Sequence, residues 1–326
     1  MKKIAYILPY FGHLPKEFGF WLISCQMNAT VDWLLFTDDR TKFNYPPNVK
    51  VTYCTFEDIK NKAQACFDFP IVLNRPYKLC DYKAAYGDIF KNELTGYDYW
   101  GMCDLDLVWG NIREFLTDEI LEKYDRIGNQ GHSTLFKNNP DVNLRYKKCI
   151  DGILNYREVY TSEKSFCFDE SGLDAIYNAL EIPYYHEVNF AHLLKYNSGF
   201  FLGLLPEEEA YKNNRQVLLW KDGKVFRFYL HEDKVKKEEY MYCHFWCRPI
   251  TYTPKNYSVN KQYLMYADKV IEWNSPITST VLKKYGKPNS VVFMTKSLWK
   301  NRHKITLKKI ILNIKGMASH VLHKEY

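Results

Sequence analysis

Nowhere in the 326-residue chain do about 18 apolar residues run without interruption, so no segment qualifies as a membrane-crossing helix. There is also no Gly-, Ser- or Pro-rich linker and no internal repeat, which argues for one compact body with a C-terminal appendage. The opening MKKIAYILPY lacks the layout of a secretory leader and enters a strand-like segment directly. Nine cysteines are present, scattered and odd in number, so a disulfide framework is not expected. Reduced thiols and a cytoplasmic setting are. Net charge is missing from most of the chain. The formal total is +7, and residues 295–326 carry Lys296, Lys300, Arg302, Lys304, Lys308, Lys309, Lys315 and Lys324 against Glu325 alone, which leaves residues 1–294 neutral. A body without a basic face is not expected to bind nucleic acid.

What is present is apolar and aromatic. Hydrophobic residues make up 46% of the chain and aromatic residues 17%, enough for a sizeable core. Sugar-stacking surfaces and biased codon usage would both raise the aromatic share, so it assigns no ligand by itself. Lys3–Leu8, Trp33–Thr37, Val49–Tyr53 and Tyr97–Met102 read as buried strands. Pro15–Met27 and Pro76–Leu94 have helical spacing, with Tyr77, Cys80, Ala84, Ala85, Ile89 and Phe90 as the inward stripe of the second. Strands alternating with helices predict an α/β fold with a mainly parallel, doubly wound sheet whose ligands lie at the carboxyl ends of strands. Pro9–Gly12, Asp38-Asp39 and Asp104-Leu105-Asp106 fall at such ends. Beyond about residue 112 the pattern is less regular. Arg113–Lys123 and Asp169–Ala179 look helical, and Asn197–Leu204 and Val225–Leu230 look like strands.

The segment CDLDLVWGN, Cys103–Asn111, carries the most chemistry. In a continuing strand, Asp104 and Asp106 would face the same side. Two carboxylates suit Mg²⁺ or Mn²⁺, and a cation would relieve their mutual repulsion. Gly110 would allow backbone to approach a ligand closely. The competing reading makes the acidic pair the start of a helix running to Lys123.

The stretch Tyr77–Ile112, YKLCDYKAAYGDIFKNELTGYDYWGMCDLDLVWGNI, resembles the signature of GT-A glycosyltransferases, and in particular uncharacterised transferases of capsule and lipopolysaccharide gene clusters. The resemblance covers roughly residues 1–250 and is strongest at 77–136. It implies a Rossmann-like GT-A sheet, with Asp104 near the donor ribose and metal and Asp106 as a direct metal ligand. It implies that Lys78, Asp81 and Lys83 hold diphosphate or donor sugar; a solvated helix face is the alternative for these three. Pro9, Tyr10, Phe11 and Asp38 would form the nucleoside pocket. His244, in MYCHFWCRP, would supply a further metal ligand; a core histidine and a zinc site with Cys243 and Cys247 are the rival readings.

Three later segments add weaker signals. Gly128–Asn139, which holds His132, Ser133 and Thr134, is similar to a sugar-contacting region, or is a polar turn. Asp169 and Glu170 open a helix, where carboxylates are favourable without catalysis; if the reaction inverts the anomeric centre, one of them, Asp169 first, is the base. Asn197-Ser198-Gly199 and Trp246 are candidates for sugar and acceptor contact. Between Lys304 and His323, apolar residues from Leu307 to Leu322 recur at helical spacing beside Lys308, Lys309 and Lys315, a pattern that suits an anionic membrane surface or a docked helix.

The expectation is therefore a GT-A domain over 1–260, with a nucleotide-binding half (1–112) and an acceptor half (113–260), and an extension over 261–326. The expected activity is hexosyl transfer from a nucleotide-diphosphate sugar, such as UDP-galactose or UDP-glucose, to a glycan or lipid-linked glycan acceptor, with Mn²⁺ or Mg²⁺ as cofactor. The expected location is cytoplasmic and peripheral to the inner face of the cell membrane. The alternatives are a sugar nucleotidyltransferase and a non-catalytic, membrane-peripheral glycan-binding protein.

Overall fold

The computed structural model describes residues 1–15, 17–193, 200–202, 215–245, 250–266 and 269–286. Asn197, Ser198, Gly199, Trp246, Cys247 and the amphipathic segment 304–323 lie outside them. Among the described residues no helix is long and apolar enough to cross a membrane, and the eight described cysteines are free thiols.

The first sheet is built from β1 (Ile4–Tyr10), β2 (Val31–Thr37), β3 (Val49–Tyr53), β4 (Tyr99–Cys103), β6 (Arg126–Gln130) and β7 (Ser133–Lys137), in the order β3-β2-β1-β4-β7-β6. Its central strands are apolar on both faces because both are covered. Ala5, Ile7, Leu34, Phe36, Trp100 and Met102 enter one core. Ile4, Tyr6, Leu8, Trp33, Leu35 and Tyr99 enter the other. Aromatic side chains are spent here: Trp21, Trp33, Trp100, Trp109, Tyr6, Tyr82 and Tyr86 are among the largest fully buried groups. The helix Phe18–Gln26 is buried all round. Phe18, Trp21, Leu22 and Cys25 face the first sheet, while Phe20 and Ile23 join a separate core. Tyr77, expected on the inward stripe of its helix, is exposed.

The mainly parallel sheet expected from the sequence is confined to β1–β4; β7 pairs antiparallel with β4, and β6 with β7. The second sheet, β12-β11-β10-β15-β16-β14, is antiparallel except at β14/β16. It contains β10 (Gln216–Lys221), β11 (Lys224–His231), β12 (Lys234–Tyr240), β14 (Thr251–Tyr252), β15 (Gln262–Tyr266) and β16 (Lys269–Trp273). Two tight hairpins impose the antiparallel course. Asp222-Gly223 (φ 52° and 73°) and Glu232-Asp233 (φ 50° and 58°) each place two residues in the left-handed region, as a two-residue turn matched to strand twist requires. The boundary expected at residue 260 falls inside this sheet, because β15 pairs with β10. The fold is thus α/β with mixed sheets.

A third sheet holds β5 (Leu107–Trp109), β13 (Tyr242–His244), β8 (Phe190–Leu193) and β9 (Phe200–Leu202). Here the chain leaves β4 in one sheet and enters β5 in another within the three residues Asp104-Leu105-Asp106. Asn111 rather than either acid stands at the start of the next helix, without a side-chain cap, and that helix breaks into Ile112–Phe115 and Asp118–Lys123, the second capped by Thr117. Gly110, expected to admit a ligand, admits the chain itself. Its N–H donates to Met241 O at 2.7 Å, and a Cβ there would sit 2.5 Å from Tyr240 O.

That crowding is against backbone and cannot be relieved by a rotamer change. Gly110→Ala should destabilise the protein by about 1–3 kcal/mol. Urea unfolding checks this, and an unchanged midpoint would refute the packing described for β5 and β13.

Candidate metal centre

The acidic pair lies at the carboxyl end of β4, on the side where open α/β sheets take ligands. Both carboxylates are about one-third exposed, at 36% for Asp104 and 35% for Asp106. The backbone fixes each separately. Asp104 N–H donates to His132 O at 3.3 Å, and Asp106 O accepts from Phe245 N–H at 2.7 Å. The two side chains take different partners. Asp104 Oδ1 meets Lys83 Nζ at 2.6 Å, while Asp106 Oδ1 lies 3.2 Å from His244 Nε2. One ligand atom each from Asp104, Asp106 and His244 nevertheless falls within 4.8 Å of the other two. Two hard carboxylate oxygens and one imidazole form a donor set that fits Mn²⁺ or Mg²⁺.

Lys83 lies between three oxygens: Asp104 Oδ1, Gly131 O at 2.8 Å and Asp169 Oδ2 at 3.9 Å. Burial works against its charge, but Asp104 and Asp169 outweigh it and hold the ammonium well above the ordinary lysine range. Asp169 is only 4% exposed, and the pull of Lys83 toward the charged form is smaller than the cost of burial. Desolvation dominates and raises its pKa to about 7. Glu170 Oε1 accepts from Gly131 N–H at 2.7 Å, and a Cβ at Gly131 would collide with Asp169. Asp169 and Glu170 thus clamp the β6–β7 turn against Lys83.

Lys78 and Asp81, expected to reach the donor, do not. Both are fully buried. Lys78 Nζ donates to Asp81 Oδ2 at 2.8 Å, to Val159 O at 3.1 Å and to Lys164 O. Asp81 also accepts from Phe166 and Phe168 N–H. The pair fastens residues 76–89 to the segment 159–168. They satisfy each other and the main chain, leaving no donor for phosphate.

The residues after β1 make structural contacts. Pro9 pairs with Phe36 inside the sheet, and Phe11 packs edge-on against Phe56 at 5.5 Å. Asp38 is exposed and accepts from Gly12 N–H at 2.8 Å, so it shapes the loop. Its neighbour Asp39 is buried; hydrogen bonds from Thr41 and Leu14 lower its pKa to about 2. Tyr10 stands near Asp106. Burial, with help from Glu17, Asp39 and Asp106, raises its pKa.

Two histidines complete the centre. The segment around His132 is a β-hairpin with Gly131-His132 as its turn, and His132 is stacked on His244 at 4.0 Å. His192, on β8, had no place among the sequence candidates. Its signal was a lone imidazole inside the apolar run Phe190–Leu193. Cys243 faces away from His244 into a different core, so it cannot share an ion with it.

Residues 6–274 match DUF6625, described as a family of unknown function, and the chain belongs to that family. No curated protein matches the chain.

Two outcomes are expected from these contacts. Asp81→Ala strands a buried ammonium and should cost about 3–5 kcal/mol by urea unfolding; a loss below about 1 kcal/mol would show that the pair is not structural. Asp169 is held at about 7 in the fold against an ordinary 3.8. The folded state therefore binds the extra proton between about pH 4 and 7 and loses stability as pH rises through that window. Asp169→Asn should accordingly gain on the wild type in chemical denaturation from pH 5 to pH 8, and a constant difference would contradict the assignment.

Proposed function

We propose that the chain is a metal-dependent glycosyltransferase of the GT-A kind, moving a hexose from a UDP-linked donor to a glycan acceptor. The observation that carries this reading is the meeting of Asp104, Asp106 and His244 within 4.8 Å at the carboxyl end of the parallel strands. The sheet order β3-β2-β1-β4, with the acidic pair directly after β4, supports it. The nucleoside, the sugar and the GT-A assignment itself rest on the resemblance of Tyr77–Ile112 to that superfamily.

In this reading Asp104, Asp106 and His244 hold the ion, which when bound supplies positive charge against the leaving diphosphate. Lys83 neutralises Asp104 beforehand. Tyr10, at the end of β1, stands near Asp106. Asp169, with a pKa of about 7, has the basicity to take a proton from an acceptor hydroxyl if the anomeric centre inverts. An acceptor on an anionic lipid surface is suggested only by the basic composition of residues 295–326.

The test combines donor hydrolysis with thermal stabilisation. In Mn²⁺, one UDP-sugar should release UDP slowly, and UDP should raise the melting temperature. Asp106→Ala should lower both effects at least about tenfold while leaving the fold intact, because the side chain is partly exposed. Absence of metal-dependent nucleotide binding by the wild type would sink the proposal.

A further inference from the structure

Behind the acidic pair, three imidazoles converge from separate parts of the chain: His132 from the β6–β7 hairpin, His192 from β8 and His244 from β13. A ring nitrogen of each lies within 4.8 Å of the other two. His192 and His244 are register partners on parallel strands, with their Nδ1 atoms 3.1 Å apart. Nitrogens that ligate one ion at about 2.0–2.1 Å stand roughly 3.0–3.4 Å from each other, so this spacing fits a shared ion. His132 is 4% exposed; its Nδ1 is 3.2 Å from the Tyr242 hydroxyl, and its Nε2 is buried with no hydrogen-bond partner. Outer partners that would orient the rings are also present, Tyr242 for His132 and Asp106 for His244.

We propose that His132, His192 and His244 form a seat for a divalent ion of the zinc class, separate from the acidic pair. Three imidazole nitrogens favour Zn²⁺ and Co²⁺ over Mg²⁺, whereas the carboxylates favour hard cations. His244 belongs to both sets, and a neutral imidazole has a single lone pair. An ion on Nδ1 leaves Nε2 protonated and donating to Asp106; an ion on Nε2 reverses the arrangement. The two seats therefore exclude each other through one ring's tautomer. The proposal stands on this geometry and does not need the transferase reading.

The experiment uses full-length protein stripped with chelator, without nucleotide. Co²⁺ titration should show one equivalent with the strong visible bands of a four-coordinate site, displaced by Zn²⁺ and not by Mg²⁺. Chelator competition should find Zn²⁺ weakened about 10–100-fold in His192→Gln and unchanged in Asp104→Asn. The proposal is overturned if the wild type takes up no ion, if its Co²⁺ spectrum is the weak six-coordinate kind, or if Asp104→Asn loses as much as His192→Gln. Should His192→Gln fail to fold, the wild-type spectrum and the Asp104→Asn affinity decide between the seats. Failure of the transferase reading would appear separately, as missing Mn²⁺-dependent nucleotide binding.

Discussion

The whole centre depends on a change of sheet. Between Cys103 and Leu107 the chain passes from the first sheet to the third, and both acidic residues belong to the three-residue bridge. A free bridge of that length would be mobile. This one is held at both ends by main-chain hydrogen bonds, to His132 O on one side and from Phe245 N–H on the other. Those partners come from the β6–β7 turn and the end of β13, which also carry two of the histidines. The contacts that hold the carboxylates thus also deliver the imidazoles, and the core of Tyr6, Trp33 and Trp109 beneath the bridge keeps the two sheets at a fixed separation.

The same crossing explains why the two acids have different partners. A continuous strand would have aimed both at one target. The bridge turns Asp104 towards the helical segment that carries Lys83 and Asp106 towards the third sheet. The acids bring together a cationic segment and an imidazole-bearing sheet.

The legible parts of the chain were those governed by local pattern. β1 and β2 could be read because strands covered on both faces are continuously apolar, β3 because Val49 and Val51 alternate with polar residues, and Asp104 and Asp106 because they end an apolar run. His244 was reachable only through the family resemblance. The second sheet was less legible. Asp222-Gly223 is an ordinary hairpin signal, but Glu232-Asp233 adopts the same backbone without a glycine, so the turn could not be seen in residue type. Lys78, Asp81 and Lys83 show a different limit. Three charged residues within six positions look alike in sequence, yet two are sealed under Phe166 and Phe168 while the third reaches the acidic pair. Which is which depends on the segment 159–168, some eighty residues away. His192 was overlooked because a single imidazole in an apolar strand acquires meaning only from its neighbour on β13.

Lys83 gives the centre a counter-ion of its own. Many metal sites are bare clusters of like charge that hold the fold apart until the ion arrives. Here an ammonium already stands at 2.6 Å from Asp104, so the chain can fold without waiting for a cation. On the proposal that the centre takes an ion, loading would exchange one positive charge for another. A monovalent ion brings no more charge than the lysine already provides and cannot win that exchange, whereas a divalent ion can. The ammonium that is displaced has Asp169 as its nearest remaining carboxylate. Arrival of an ion would then be felt at a buried acid that the ion never touches.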